Sequence, residues 1–256
     1  MRQILKQPDF EAIAKRYRSP GVLAIALMGS FARGDAGSYS DVDIVRFRDS
    51  DPTTESAETR LIDQRFVVIS DVGASMVSDW FSKPVDATAS IAGVRAARSL
   101  WDPNAHLERI KQTALDFVWD AEMQDKANTY ASEAMVGWIE EVQKGLEGLR
   151  RHDKGRLLNA RYGLSWGLTK VMRVQRGILI SGDNASFTEV VADIGTESVW
   201  AELSRDAFGL SGLLLSDQVK AGLRLYAETA HMLEDILHAE DKPLVHEAIR
   251  RINSEI

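Results

Sequence analysis

The segment Gly29-Ser30-Phe31-Ala32-Arg33-Gly34, continued by Asp35-Ala36-Gly37-Ser38-Tyr39 and then Ser40-Asp41-Val42-Asp43-Ile44, joins two apolar runs. The run before it, Val22 to Met28, is short and bounded by glycine on both sides, which predicts a buried strand. The run after it, Asp41 to Arg48, alternates, with Val42, Ile44 and Arg46 on one face and Asp41, Asp43, Val45 and Phe47 on the other. Asp41 and Asp43 therefore project the same way, about 6–7 Å apart along the chain. Two carboxylates so placed repel each other unless a cation lies between them. A hard divalent cation with oxygen ligands suits them, and Mg²⁺ prefers carboxylates together with substrate phosphates. Gly29 lets a backbone N–H approach a phosphate closely, and Ser30 adds a hydroxyl donor. Turn and carboxylate pair together are suited to a nucleoside triphosphate held through its metal.

Outward from this segment, the first hundred residues alternate in texture. Phe10, Ile13, Ala14 and Tyr17 recur at helical spacing, and Pro20-Gly21 ends that helix. Leu61 to Ser70 is a third strand candidate, rich in β-branched residues. Met76, Trp80 and Phe81 predict a short helix, Pro84 starts another through Val94, and a last strand near Ser99–Trp101 ends at Asp102-Pro103. From Ala105 onward helical periodicity takes over. Ala127, Ala131, Ala134, Trp138, Val142, Leu146 and Leu149 form one stripe of a helix over 126–150, with Glu133, Glu140, Lys144 and Glu147 opposite. Further helices are expected at about 155–178, 197–210, 215–240 and 243–254, with a turn at Ser181-Gly182-Asp183-Asn184. The expected organisation is α+β: a small mixed α/β domain over 1–104, then an α-helical bundle over 105–256, the texture changing near 103–106.

Composition narrows the class. The chain has 256 residues, 31 Lys plus Arg against 38 Asp plus Glu, and a formal charge of −7. At 45% hydrophobic and 27% charged it is an ordinary globular sequence, which excludes disorder and fibrous repeats. There is no cysteine, so disulfides, a thiol nucleophile and Cys-ligated metals are excluded. The longest uncharged stretch, Ser19 to Ala32, is 14 residues, whereas a membrane helix needs roughly 20 apolar ones. The opening residues Met1 to Lys6 have no apolar core of a signal peptide, so a soluble, cytoplasmic protein is expected. A pI near 5.3 argues against a polynucleotide partner. Residues 105–256 carry a net −6 against −1 for residues 1–104, a balance that suits a cationic small molecule as well as plain solubility.

Gly-Ser-x-x-x-Gly followed by Ser-Asp-x-Asp resembles the nucleotidyltransferase superfamily that includes DNA polymerase β. The wider plan resembles the small antibiotic nucleotidyltransferases of kanamycin and lincosamide type. The resemblance implies a polymerase-β-like domain followed by a helical bundle, and Mg²⁺-dependent transfer of a nucleoside monophosphate, AMP from ATP, to a hydroxyl of an aminoglycoside or lincosamide-type acceptor. Asp41 and Asp43 would ligate the metal. Gly29 and Ser30 would hold the triphosphate, Arg33 would offset its charge, and Ser40 would belong to the same nucleotide site. The relatives suggest a site between the two domains and a homodimer.

Many members carry a third carboxylate on a later strand. Here only Asp63 and Asp71 offer one, and neither falls at the expected middle of the strand, where Gln64, Arg65 and Phe66 stand. In the antibiotic-modifying relatives a Glu of the helical domain serves instead as general base; Glu140 is the candidate, with Glu133 and Glu141 as competitors. Two alternatives stay open: an antitoxin-type nucleotidyltransferase acting on a protein or RNA, and a nucleotide-binding module without catalysis. Other patterns carry less. His231, Glu234 and His238 share one helical face, Arg224 and His231 form Arg-x6-His, six tryptophans include the apolar-stripe Trp138, and Arg150 to Lys154 is a helix-end charge cluster.

Overall fold

The computed structural model describes residues 8–52 and 57–256; the reading of Met1 to Lys6 lies outside the described residues. The chain divides into two compact units after Val118, later than the change of texture near 103–106. The intervening helix explains the difference, because its apolar face (Leu107, Ile110 and Ala114) is buried within the first unit.

In the first unit, helix α1 (Phe10–Arg16) starts at Asp9, whose carboxylate accepts the Ala12 N–H at 3.0 Å. Strand β1 (Val22–Met28) follows, then a five-residue helix α2 (Gly29–Arg33) and strand β2 (Val42–Arg48). Next come β3 (Ala57–Ile62), β4 (Arg65–Val72), helices α3 (Ala74–Ser82) and α4 (Pro84–Ala96), β5 (Arg98–Trp101) and α5 (His106–Asp116). The sheet order is β3-β4-β2-β1-β5, with β2 and β4 parallel and the other pairs antiparallel. This is the expected mixed sheet with helices, followed by an all-helical unit.

The alternation along β2 decides which face each side chain joins. Val42 and Ile44 are buried with Ile25, Leu27, Val67 and Ile69 against Ile13 and Ala14 of α1. Phe47 is buried on the opposite face, edge-on to Trp80 and His106 at 6.3 and 5.9 Å between ring centroids. Asp43 belongs to that second face.

One expected strand is two. Leu61 to Ser70 is interrupted by Asp63 and Gln64, both in the left-handed region at φ 48° and 64°, so β3 and β4 form a tight hairpin. Asp-Gln lacks the glycine that normally marks such a turn, and the β-branched run masks the reversal.

The second unit contains α6 (Ala121–Gly137), α7 (Ile139–Arg151), α8 (Lys154–Gln175), α9 (Ser186–Ile194), α10 (Val199–Phe208), α11 (Leu215–Met232) and α12 (Lys242–Glu255). Its core gathers on α8 and α11. Trp200 and Tyr226 are buried, and each satisfies its polar atom: Trp200 Nε1 donates to Thr229 Oγ1 at 2.9 Å, and the Tyr226 hydroxyl donates to the Met135 carbonyl at 2.9 Å. Two expected helices are shorter than their periodicity implied. The one over 126–150 breaks at Trp138, and that over 215–240 ends at Met232 and gives way to a 3-10 turn. α9 was not expected.

Trp138 breaks its helix because its ring packs on a glycine face of α8. A Cβ at Gly167 would overlap the indole and lie 2.7 Å from Cη2, and one at Gly163 would lie 3.3 Å from Cζ3. Gly167→Ala is therefore expected to destabilise the fold by about 1–3 kcal/mol, although alanine is the better helix former. A thermal melt with a Tm equal to or above wild type would refute this packing.

Candidate active site

β1 and β2 pair so that Met28 stands opposite Asp43. The chain then turns at Gly29, at φ +63°. A side chain there would be strained, and its Cβ would overlap Asp43 Oδ2 and lie 2.9 Å from Cγ. Turn backbone and carboxylate are thus in contact, which is the juxtaposition the spacing implied. α2 ends at Gly34, at φ +88°, whose N–H donates to the Ser30 carbonyl at 2.9 Å; the Asp35 N–H donates to the same oxygen at 3.1 Å. Ser40 closes the following loop. Its Oγ accepts the Gly37 N–H at 2.9 Å, and its own N–H donates to the Gly37 carbonyl at 3.2 Å. The Ser40 hydroxyl is thus occupied as an acceptor in shaping the approach to Asp41.

Asp41 is exposed just ahead of β2, and Asp43 is half-buried within it. Burial pushes the Asp43 carboxyl above the usual carboxylate range, the charge of Asp41 pushes the same way, and Arg33 offsets part of this. The two acids therefore feel each other electrostatically. Arg33 also donates to Asp35 at 3.3 Å, so its charge is shared between the loop and Asp43. The donor set, two carboxylates with hard oxygens next to a backbone turn, fits Mg²⁺ completed by phosphate and water oxygens.

Among the described residues a third carboxylate is not part of this arrangement. The parallel register of β2 and β4 sets Val68 opposite Asp43. Asp71 stands opposite Arg46, which holds it bidentately at 2.7 and 2.8 Å, with Arg48 4.0 Å away. That is three residues, about 10 Å, along the strand from the Asp43 level. Asp63 sits at the hairpin tip. Among the described residues no group of three His, Cys, Asp or Glu side chains is placed to hold a metal.

Arg65, which the strand pattern offered no reason to single out, lies over the Phe31 ring of α2 at 5.4 Å. Its Nε and Nη1 are buried without a hydrogen-bond partner among the described residues. Only the pairing of β4 beside β2 brings this cation to α2, and no local signal announces it.

Glu140 lies in the first turn of α7, fully exposed, and Lys144 binds it at 2.8 Å. That hydrogen bond and charge hold its carboxyl below the usual range, which weakens it as a proton acceptor. Glu141 is more buried: its Oε1 takes Lys144 at 2.8 Å, and its Oε2 is buried without a partner among the described residues. Glu133 is exposed on α6. His231, Glu234 and His238 do not share a helix, since α11 ends between the first two; Glu234 instead pairs with His246 at 2.9 Å and Lys242 at 3.6 Å.

Comparison with known families bears on this site directly. Residues 10–127 match the nucleotidyltransferase domain. The match includes the Gly29 turn, both acids and the whole sheet. A nucleotidyltransferase-like protein from Exiguobacterium sibiricum, known from a crystal structure, is similar over 88% of this chain and 72% of its own, at 15% identity and a TM-score of 0.48. Comparison with curated protein sequences returned no match. The nucleotidyltransferase domain implies a nucleotide substrate, and no helix among the described residues is long and apolar enough to cross a membrane.

Proposed function

We propose that this chain transfers a nucleoside monophosphate, AMP from ATP, to a hydroxyl of a small molecule and releases pyrophosphate. The observation that carries this is the contact of the Asp43 carboxylate with the Gly29 turn, with the charge of Asp41 near enough to raise the Asp43 pKa. Asp41 and Asp43 would hold Mg²⁺, which when bound supplies neutralising charge to the triphosphate. Gly29, lacking a side chain, leaves the turn open to a phosphate, Ser30 offers a hydroxyl donor and Arg33 a cation. An acceptor oxygen then forms its bond to the α-phosphorus as the bond to the bridging oxygen of pyrophosphate breaks. Positioning and charge neutralisation supply most of the rate. Glu140 enters the proposal as general base once its carboxylate is released from Lys144, which otherwise lowers its proton affinity.

For the acceptor we propose an aminoglycoside or lincosamide-type antibiotic, supported by the sequence resemblance and by the net charge of −6 on residues 105–256. A second reading, a nucleotide-binding module without transfer, is favoured by Val68 standing where a third carboxylate would complete the site. One measurement separates them. Purified protein with ATP, Mg²⁺ and a panel of antibiotics is expected to release pyrophosphate with at least one acceptor and to lose this activity in EDTA. Binding of ATP–Mg²⁺ with no pyrophosphate from any acceptor would establish the second reading instead.

A further inference from the structure

We infer that the helical unit binds a small aromatic phosphate monoester, of the nucleoside monophosphate class, in a cavity beside α8 formed wholly by residues of that unit. The inference does not rest on the transfer reaction proposed above. The cavity, of about 360 Å³, is lined by Tyr162, Trp166, Lys170, Arg173, Asp183 and Ser186. This is within the usual range of small-molecule sites and has room for one ring system with an attached anion.

The first four lining residues recur at i, i+4, i+8 and i+11 of α8 and so fall along one stripe of the helix. The stripe is sorted by chemistry, with two aromatic rings at one end and two cations at the other. Tyr162 and Trp166 remain 69% and 46% exposed in a helix otherwise central to the core. Trp166 is nevertheless held: Phe208 meets it edge-on at 5.0 Å, and Phe187 braces Phe208 at 4.8 Å. An ordered indole partly open to solvent is a stacking surface for a planar ring.

Arg173 is the second, independent observation. It is only 8% exposed, and its Nε has no hydrogen-bond partner among the described residues. A guanidinium stays ionised in any protein, so a buried N–H without an acceptor is costly and calls for an anion. Burial disfavours its charge, the charge of Asp183 offsets only part of this, and among the described residues Arg173 makes no ion pair. Lys170 and Arg173 together outweigh Asp183, which favours a phosphate over a neutral ligand. A phosphate monoester also offers several strong acceptor oxygens to the guanidinium. Hydrogen bonds hold the segment that carries Asp183 and Ser186. The Ser181 N–H and hydroxyl donate to Glu189 at 3.0 and 2.6 Å, and the Ile178 N–H donates to the Arg173 carbonyl at 3.0 Å.

Calorimetric titration of the full chain in EDTA with AMP, adenosine, inorganic phosphate and benzoate tests this. AMP is expected to bind at least about tenfold more tightly than adenosine or phosphate alone. Lys170→Met and Trp166→Ala, both at the open side of the cavity, are each expected to weaken AMP about tenfold. Weakening in both of these variants, whose positions lie within the helical unit, localises AMP binding to that unit. Any of four results overturns the inference: no AMP binding, adenosine binding as well as AMP, benzoate binding more tightly than AMP, or wild-type AMP affinity in both Lys170→Met and Trp166→Ala. Arg173→Met, checked by circular dichroism for folding, should behave as Lys170→Met or more severely; a folded variant with wild-type AMP affinity also overturns it.

Discussion

Asp43→Asn is expected to reduce nucleotidyl transfer by about a thousandfold or more, equivalent to ~4 kcal/mol of barrier. Asn keeps the shape of the side chain and removes the charge that Asp41 and Asp43 would together present to a divalent cation. The fold should not suffer. Burial and the charge of Asp41 both raise the Asp43 pKa, so the folded chain binds this proton more tightly than the unfolded one. The stability that follows is present below the ordinary carboxylate value and is lost as pH rises through the raised one. At neutral pH the ionised group is therefore a net burden on folding, and Asn should leave the melting temperature unchanged or slightly higher. The same shift bears on metal capture: the Mg²⁺ affinity of the metal-free protein should begin to fall at a pH above that of an unperturbed Asp, because the proton competes for the ligand. Near-wild-type turnover in a folded Asp43→Asn protein would end the site assignment. A Mg²⁺ affinity that begins to fall only at the ordinary carboxylate value would show that Asp43 is not the titrating ligand.

Gly29→Ala is expected to be nearly as damaging, through the backbone rather than through charge. The added Cβ would occupy the space of Asp43 Oδ2, and the residue sits at φ +63°. Either the carboxylate rotates away or the turn opens, and both separate the phosphate-facing backbone from the metal ligands. A loss of about a hundredfold or more in transfer is expected, since small displacements of positioning groups cost on that order. A stability loss of about 1–3 kcal/mol should accompany it. Gly34→Ala is the control for backbone strain alone, because Gly34 also has a positive φ, +88°, but nothing within 4 Å of where its Cβ would be. Gly34→Ala should lose stability on the scale of about 1 kcal/mol without the collapse of activity. Equal activity losses in the two variants would show that strain in the turn, and not the contact with Asp43, is what matters.

The boundaries that were legible are those set by neighbours in sequence. Val22–Met28 declared itself as a strand because its apolar run is short and bracketed by glycine, and the structure has that strand with the same ends. The face assignments of Val42, Ile44 and Phe47 followed from alternation alone. Gly29, Asp41 and Asp43 were recognisable because the turn and the acids are separated by only a short loop. The hairpin at Asp63-Gln64 was not legible, since neither residue is glycine and both flanking runs favour strand. Nor was the break at Trp138, where the apolar stripe continues in phase and only the glycines of α8, a helix away, make room for the ring.

Local periodicity and turn chemistry thus determined, by themselves, a mixed sheet followed by helices, with the Asp43 carboxylate beside a glycine turn. The tertiary structure alone decided three further matters. It set Val68 rather than a carboxylate opposite Asp43, committed Asp71 to Arg46, and buried Arg173 at the cationic end of an aromatic stripe. The physical reason is common to all three. Which side chains meet across strands or between helices depends on pairing register and packing, and these are set by burial summed over a whole unit, not by the few residues that surround any one position.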